Sequence, residues 1–411
     1  MISSRAFRAA AALGVIAALI GCGANTPPAA PSAAALLKEL PASGASPAEE
    51  SVAYQVNPQH TGAVKRGLRP PLKVVWSVNP NGNKAVGYPI VANGIVVVAA
   101  GSELIGIDAT TGHKLWTQGA PGGYAWVGAA YDNGSIFAIP TAASGSTVDM
   151  YAFDQETGSP LWSAPAPGQS SFSSPPTASQ GTVYTGGAGV GGTVYAFNES
   201  TGALNWTASV ENGDDSSPVV TSKGVYVSYV CPQTYDFTPS SGKQIWHYQG
   251  SCEGGGGSTP VLYQGLLFVG DSNMLSGYDG LILTADAGTV VGGFNSSFTP
   301  AFAAKLGYFV TSHGSAPSEL DARKVPSLTL DWSVTLNSDS YVSPPLVAGK
   351  IVYIVTAGGS LLGYDAKSGK QKVQITLGSG GSYRVFVVGL GYGSNELIVP
   401  NGQYLIAIQG S

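Results

Sequence analysis

Along most of the chain, apolar and polar residues alternate in short runs closed by Gly, Asn, Asp or Pro. Met150-Tyr-Ala-Phe153, Val194-Tyr-Ala-Phe197 and Leu361-Leu-Gly-Tyr364 are such runs. A period of two sends successive side chains to opposite faces of a strand. Denser β-branched runs, Ile95-Val-Val-Val98, Val225-Tyr-Val227 and Ile351-Val-Tyr-Ile354, follow the turns Asn93-Gly94, Lys223-Gly224 and Gly349-Lys350. Asn-Gly is a strong signal for a tight hairpin. No segment carries a helical period, so the pattern predicts an all-β protein built from hairpins.

The runs recur as a unit. Asp108-Ala-Thr-Thr-Gly112-His-Lys-Leu-Trp116, Asp154 to Trp162, Asn198 to Trp206, Thr238 to Trp246 and Asp365 to Val373 share fixed offsets: a polar cap, Gly four residues later, and Trp or Val four after that. The cap side chain accepts backbone N–H bonds in a tight turn, and Gly supplies the positive φ at its exit. Upstream, a Ser/Thr-Pro pair opens the unit at Ser174-Pro175, Ser217-Pro218, Thr259-Pro260, Thr299-Pro300 and Ser343-Pro344, with Tyr88-Pro89 in the first unit. Pro is tolerated at the first residue of a strand.

Outer-strand positions fall at Trp76, Trp116, Trp162, Trp206, Trp246, Gly292, Trp332 and Val373. They predict eight four-stranded units. The chain opens on an outer strand, Val74 to Val78, and ends on three strands between Arg384 and Gln409 with no outer strand after them. Joining the ends completes the eighth unit and removes an exposed edge, so a closed ring is expected rather than an open solenoid. Units five and six fit least well. Gly292 stands where Trp is expected, and the stretch from Asp321 to Trp332 reads as longer than the standard turn.

These turns resemble the PQQ-repeat β-propellers, over a domain expected from residue 54 to 411. That family includes quinoprotein dehydrogenases and the cofactor-free outer-membrane lipoprotein BamB, so the resemblance implies an eight-bladed propeller of four-stranded antiparallel blades. It leaves two functional readings. One is a scaffold for a protein or glycan partner. The other is an enzyme using the central channel for a small ligand, in the family's form a dehydrogenase holding PQQ and Ca²⁺ there, typically beneath a disulfide of adjacent cysteines. The cysteines here are not adjacent, and the chain is short for those enzymes. The scaffold without a cofactor, BamB-like, is therefore the expectation.

The N-terminus adds an address. Arg5 and Arg8 precede an apolar stretch from Ala9 to Ile20 that is too short to span a bilayer and reads as a signal peptide over 1–21. Leu19-Ile20-Gly21-Cys22 resembles the lipobox of bacterial lipoproteins, which marks Cys22 for lipidation. Residues 22–53, rich in Ala, Pro and Ser, read as a tether between that lipid and the propeller. The expected location is the cell envelope, at the outer membrane if the cell is Gram-negative.

Composition narrows the chemistry. Charged residues make up 10% of the chain, Gly numbers 57 and the net charge is −5. No basic run is present, which argues against nucleic acid as a partner. The propeller is expected to be monomeric. Cys231 and Cys252, an even pair in an exported chain, suggest a disulfide. In the repeat frame both fall in connections on one face. Glu211, Asp214, Asp215 and Glu253 share that face as a possible contact for a cation or partner. The four histidines, His60, His113, His247 and His313, show no metal spacing and are expected at the surface. No catalytic residue is assigned.

Overall fold

The computed structural model describes residues 49–141, 147–166, 174–186, 192–211, 213, 216–250, 259–271, 277–311, 318–336, 343–378 and 389–411. They form eight separate sheets in ring order, with one single-turn 3-10 helix at Pro121–Gly123. Blade one comprises strands a to d at Ile90–Ala92, Ile95–Ala100, Glu103–Asp108 and Lys114–Gly119. Blades two to seven repeat this order over 125–166, 177–209, 219–248, 261–294, 301–336 and 346–376. Blade eight takes its inner strands, Gly391–Gly393, Glu396–Asn401 and Tyr404–Gly410, from the C-terminal end and its outer strand, Leu72–Val78, from the N-terminal side. Trp76 pairs with Ala407 and Val78 with Leu405. The ring therefore closes as the sequence implies, and hydrogen bonds rather than a covalent link join its ends.

The cap–Gly–Trp spacing has a mechanical cause. Six outer-strand tryptophans, Trp76, Trp116, Trp162, Trp206, Trp246 and Trp332, each donate Nε1–H to a carbonyl in the c–d turn of the next blade at 2.6–3.1 Å. The carbonyl always belongs to the residue after the cap. The Gly of that same turn, with φ of +64° to +73°, lies over the indole ring. A Cβ there would come within 2.4–2.9 Å of ring atoms. Gly is thus required twice, by its backbone and by the ring above it. Each latch ties one blade to the next, and Trp76 latches blade eight onto blade one. The cap carboxylates of Asp108, Asp154 and Asp365 accept bonds from the turn and are held below the ordinary range.

Two blade pairs lack the latch, and both gaps are compensated. In blade five the turn Thr284–Gly288 obeys the offset, but Gly292 follows it in place of Trp. The next turn, in blade six, then carries Leu328 at the Gly position, with φ +52° and its side chain packed on the core between the blades. Its N–H bonds to Lys324 O at 2.7 Å as the glycines do. The blade-six cap is therefore Lys324, and its turn has standard length, contrary to the reading that began it at Asp321. Blade seven has Val373, and blade eight offers no c–d turn to latch, because its outer strand Leu72–Val78 comes from the N-terminal side of the propeller. Leu68 and Val373 belong to one hydrophobic cluster there.

Candidate functional site

In every blade, strand a lines the central axis with one edge unpaired. Such edges need covering. Here the cover is a strap formed by residues just ahead of the propeller's first outer strand. Backbone bonds of 2.7–3.0 Å link it to the inner strands in turn. Ser51 bonds Tyr392 of blade eight and Val91 of blade one, and Val52 bonds Tyr131 of blade two. Pro58 accepts from Val220 of blade four, Gln59 from Leu262 of blade five, Thr61 from Phe302 of blade six and Gly62 from Val347 of blade seven. The imidazole of His60 reaches Thr177 Oγ1 of blade three at 3.4 Å. One segment thus touches all eight blades. It leaves the axis as Ala63–Val64, a fifth strand parallel to Leu346–Ala348 of blade seven.

Its own chemistry holds the strap in shape. Asn57 Oδ1 accepts from the N–H groups of Gln59 and Thr61, and Asn57 Nδ2 donates to Thr61 Oγ1 at 2.6 Å. Gln55, Val56 and His60 adopt positive φ, a conformation that only firm surroundings maintain. Tyr54 stands edge-on to both Tyr88 and His60. Val56 N–H donates to Tyr88 Oη at 2.9 Å.

His60 is fully buried, not at the surface as its sequence context suggested. A turn-rich, non-repeating segment carries no signal that it will be drawn into an axis built by distant strands. Nδ1–H donates to Pro260 O at 3.1 Å, and burial pushes the imidazole down to about 4. It is a neutral pin at pH 7. Ser51 and Ala53 are buried as well, ahead of the boundary expected at residue 54.

A family model described as "Outer membrane protein assembly factor BamB" matches residues 72–136, 144–292 and 283–391. The chain belongs to that family. Its fold is similar to quinohemoprotein alcohol dehydrogenase from Comamonas testosteroni, with a TM-score of 0.66 and 16% identity over 92% of this chain and 84% of that one. It is also similar to BamB from Moraxella catarrhalis, with a TM-score of 0.60 and 15% identity over 82% and 99%. A computationally designed protein, Ika8, aligns at a TM-score of 0.64 and 13% identity over 82% and 100%. At these identities the likeness is one of fold. Compared with curated proteins, the sequence has no match.

The quinoprotein relatives raise the question of a cofactor on the axis. The strap side chains Tyr54, Asn57 and His60 are buried between the inner strands, with Tyr54 against Tyr88 and His60 against Pro260 and Thr177. Among the described residues no group of three or more His, Cys, Asp or Glu side chains converges to hold a metal ion. The described residues therefore form no cation site for a quinone on the axis.

The propeller has two unlike ends. One face carries the a–b and c–d turns. The other carries the b–c loops and the d–a crossings. Cys231 lies on the loop face, fully buried, in the turn between Val225–Tyr229 and Gln233–Phe237. Gly250 packs against it so closely that a Cβ would overlap Cys231 O. Glu211, exposed on the same face, donates its backbone N–H to Tyr235 Oη at 3.0 Å. Cys22, Asp214, Asp215, Cys252, Glu253 and His313 lie outside the described residues. His113 is exposed as expected. His247 is half-buried instead, stacked on Tyr235 at 4.0 Å with Nε2 at 2.7 Å from Gln233 Oε1.

Sequence reasoning missed one carboxyl group on the turn face. Gln155, the residue after the cap in blade two, donates Nε2–H to Ala92 O at 2.6 Å and accepts from Asn93 at 3.2 Å. Glu199 holds the corresponding place in blade three, accepting from Asn133 at 3.3 Å. Its second oxygen takes the place of the Gln155 amide donor, buried beside Asp132. Burial, then this neighbouring carboxylate, raises the Glu199 carboxyl above its ordinary range. A raised folded-state value means stability that is present at low pH and is lost as pH rises through that value. Glu199→Gln restores the donor. It should raise stability by about 1 kcal/mol at pH 8 and leave it unchanged near pH 4, where Glu199 is itself protonated. Thermal melts of both proteins at the two pH values check this.

Proposed function

We propose that the protein is an exported envelope lipoprotein, anchored through lipid on Cys22, whose propeller serves as a binding scaffold for other envelope proteins. Membership of the BamB family supports this. The observation that carries it is the strap. The inner strand edges around the axis are covered by the chain's own residues, Ser51 to Gly62, which points recognition to the rim and the loop face. On the loop face, Glu211 with Asp214, Asp215 and Glu253 supplies acidic contacts. A Cys231–Cys252 disulfide would brace that face, and the close approach of Gly250 to Cys231, two residues before Cys252, supports the pairing. A role in outer-membrane protein assembly is the specific form of this reading, with a glycan as the alternative partner.

Two measurements test it. Mass spectrometry of the mature protein should find a diacylglycerol-modified Cys22, lost in Cys22→Ser. Crosslinking in cells followed by capture should enrich β-barrel assembly proteins. The contrary result is a quinone absorbance that co-elutes with the protein after PQQ and Ca²⁺ are added, with dye reduction by an alcohol or sugar.

A further inference from the structure

Almost all basic side chains of the described propeller lie at its turn face, interspersed there with carboxylates such as Asp108, Asp154, Asp286 and Asp365, and they outnumber the carboxylates in one sector. The sequence has no basic run, yet the fold gathers basic residues from separate turns onto one sector. Lys65, Arg66 and Arg69 lie where the strap leaves the axis, Lys350 in the a–b turn of blade seven, and Lys367 and Lys370 in its c–d turn. All six are exposed. The backbone at Arg66–Gly67 packs against Gly349, next to Lys350, which joins the groups into one patch. Lys65 and Arg66 share one carboxylate, Glu49, at 3.8 and 3.4 Å. Among the described residues, Arg69, Lys350, Lys367 and Lys370 form no ion pair.

On the loop face the described residues include one basic side chain, Lys84, against Glu103, Asp149, Glu211, Asp279 and Glu319. The strap enters beside the basic sector. Glu50 accepts bonds from Asn93 N and Ser394 N, both in a–b turns, of blades one and eight. The residues that run back to Cys22 therefore join the propeller on its turn face.

We propose that the turn face of blades seven and eight is a docking surface for an anionic membrane, and that the acidic loop face is thereby presented away from it. A lipidated Cys22 would hold the chain at the membrane without fixing how the propeller faces it, and a basic patch beside the point of attachment sets that orientation. Phospholipid headgroups supply the complementary charge, each surface Lys contributing about 1 kcal/mol. The occupant is set by where the N-terminal segment joins and by the sign of the patch.

The proposal rests on the envelope reading above, but its test does not depend on acylation. The full chain carrying Cys22→Ser is sedimented with vesicles of phosphatidylcholine alone or with one third phosphatidylglycerol. Binding is expected to the anionic vesicles only, and to disappear in 0.5 M NaCl. Combining Lys350→Glu, Lys367→Glu and Lys370→Glu should weaken it at least about 100-fold, by the constant above. Lys84→Glu, on the loop face, should change it less than about threefold. Circular dichroism shows whether each variant is folded, and Lys→Gln at the same three positions, expected to weaken binding less than Lys→Glu, provides a second series. Equal binding to neutral vesicles, indifference to the triple variant, or tighter binding of duplex DNA through the same three lysines overturns the proposal. An unacylated Cys22 in the wild-type chain would count against the lipoprotein reading and leave this one standing.

Discussion

Replacing His60 by Ala should cost about 3 kcal/mol at pH 7 and almost nothing near pH 4. At neutral pH the variant leaves Pro260 O and the Thr177 hydroxyl without their imidazole partner and opens a void on the axis. Acid removes the difference for a separate reason. The folded protein keeps His60 neutral down to about pH 4, whereas the unfolded chain binds the proton near 6.5. The unfolded state then carries more protons between these values, so the wild type loses stability as pH falls through this window, by about 1.4 kcal/mol per unit. The variant has no such group and does not follow. Denaturant titrations of both proteins from pH 7.5 to 4 read the converging difference directly. A surface imidazole would give neither the cost nor the convergence.

Other buried groups tilt the wild-type curve the opposite way. Burial pushes Asp236 up to about 8, over the opposing bond from Val225 N–H. Its share of stability, like that of Glu199, is present in acid and lost as pH rises. The wild-type pH profile alone therefore mixes opposing slopes, and the difference between variant and wild type isolates His60.

The contrast between the strap and the repeat explains what the sequence reveals. The blades are legible because local rules made them. Alternation sets the strands, a polar residue caps each c–d turn, most often Asp, Asn or Thr, and the spacing from cap to Gly to Trp recurs. Ring closure is legible because the missing outer strand at the end matches the spare one at the start. The strap obeys none of these rules. Its bonds run to residues as far apart in sequence as Val91 and Tyr392, its conformation depends on positive φ at Gln55, Val56 and His60, and Asn57-Pro-Gln-His-Thr-Gly62 reads like any surface turn. The basic sector is hidden for a related reason. Its members sit in turns of different blades, and only the order of blades around the ring makes them neighbours. Glu199 is a subtler case: one residue after a cap looks solvent-facing until the a–b turn of the preceding blade is placed against it.

The latch allows the second large prediction. Trp206→Ala should destabilise by about 4 kcal/mol, from loss of a large, mostly buried ring and its bond to Pro239 O. Gly242→Ala should be comparably harmful alone, because its Cβ would lie 2.4 Å from a Trp206 ring atom and its φ is +65°. The two changes should not add. Once the ring is gone the overlap is gone, and only the backbone strain of about 1 kcal/mol remains for the alanine. A double-mutant cycle should therefore show an interaction energy of at least about 2 kcal/mol, with the double variant close to Trp206→Ala. Simple additivity would mean that the Gly serves the turn alone. The chain already contains the natural form of this double variant. Where blade five has Gly292 instead of Trp, blade six has Leu328 instead of Gly, in the same left-handed conformation and packed against the neighbouring core. A side chain is admitted at that turn where the opposing indole is missing, so the recurring glycine is set by the ring from the neighbouring blade as much as by the turn it closes.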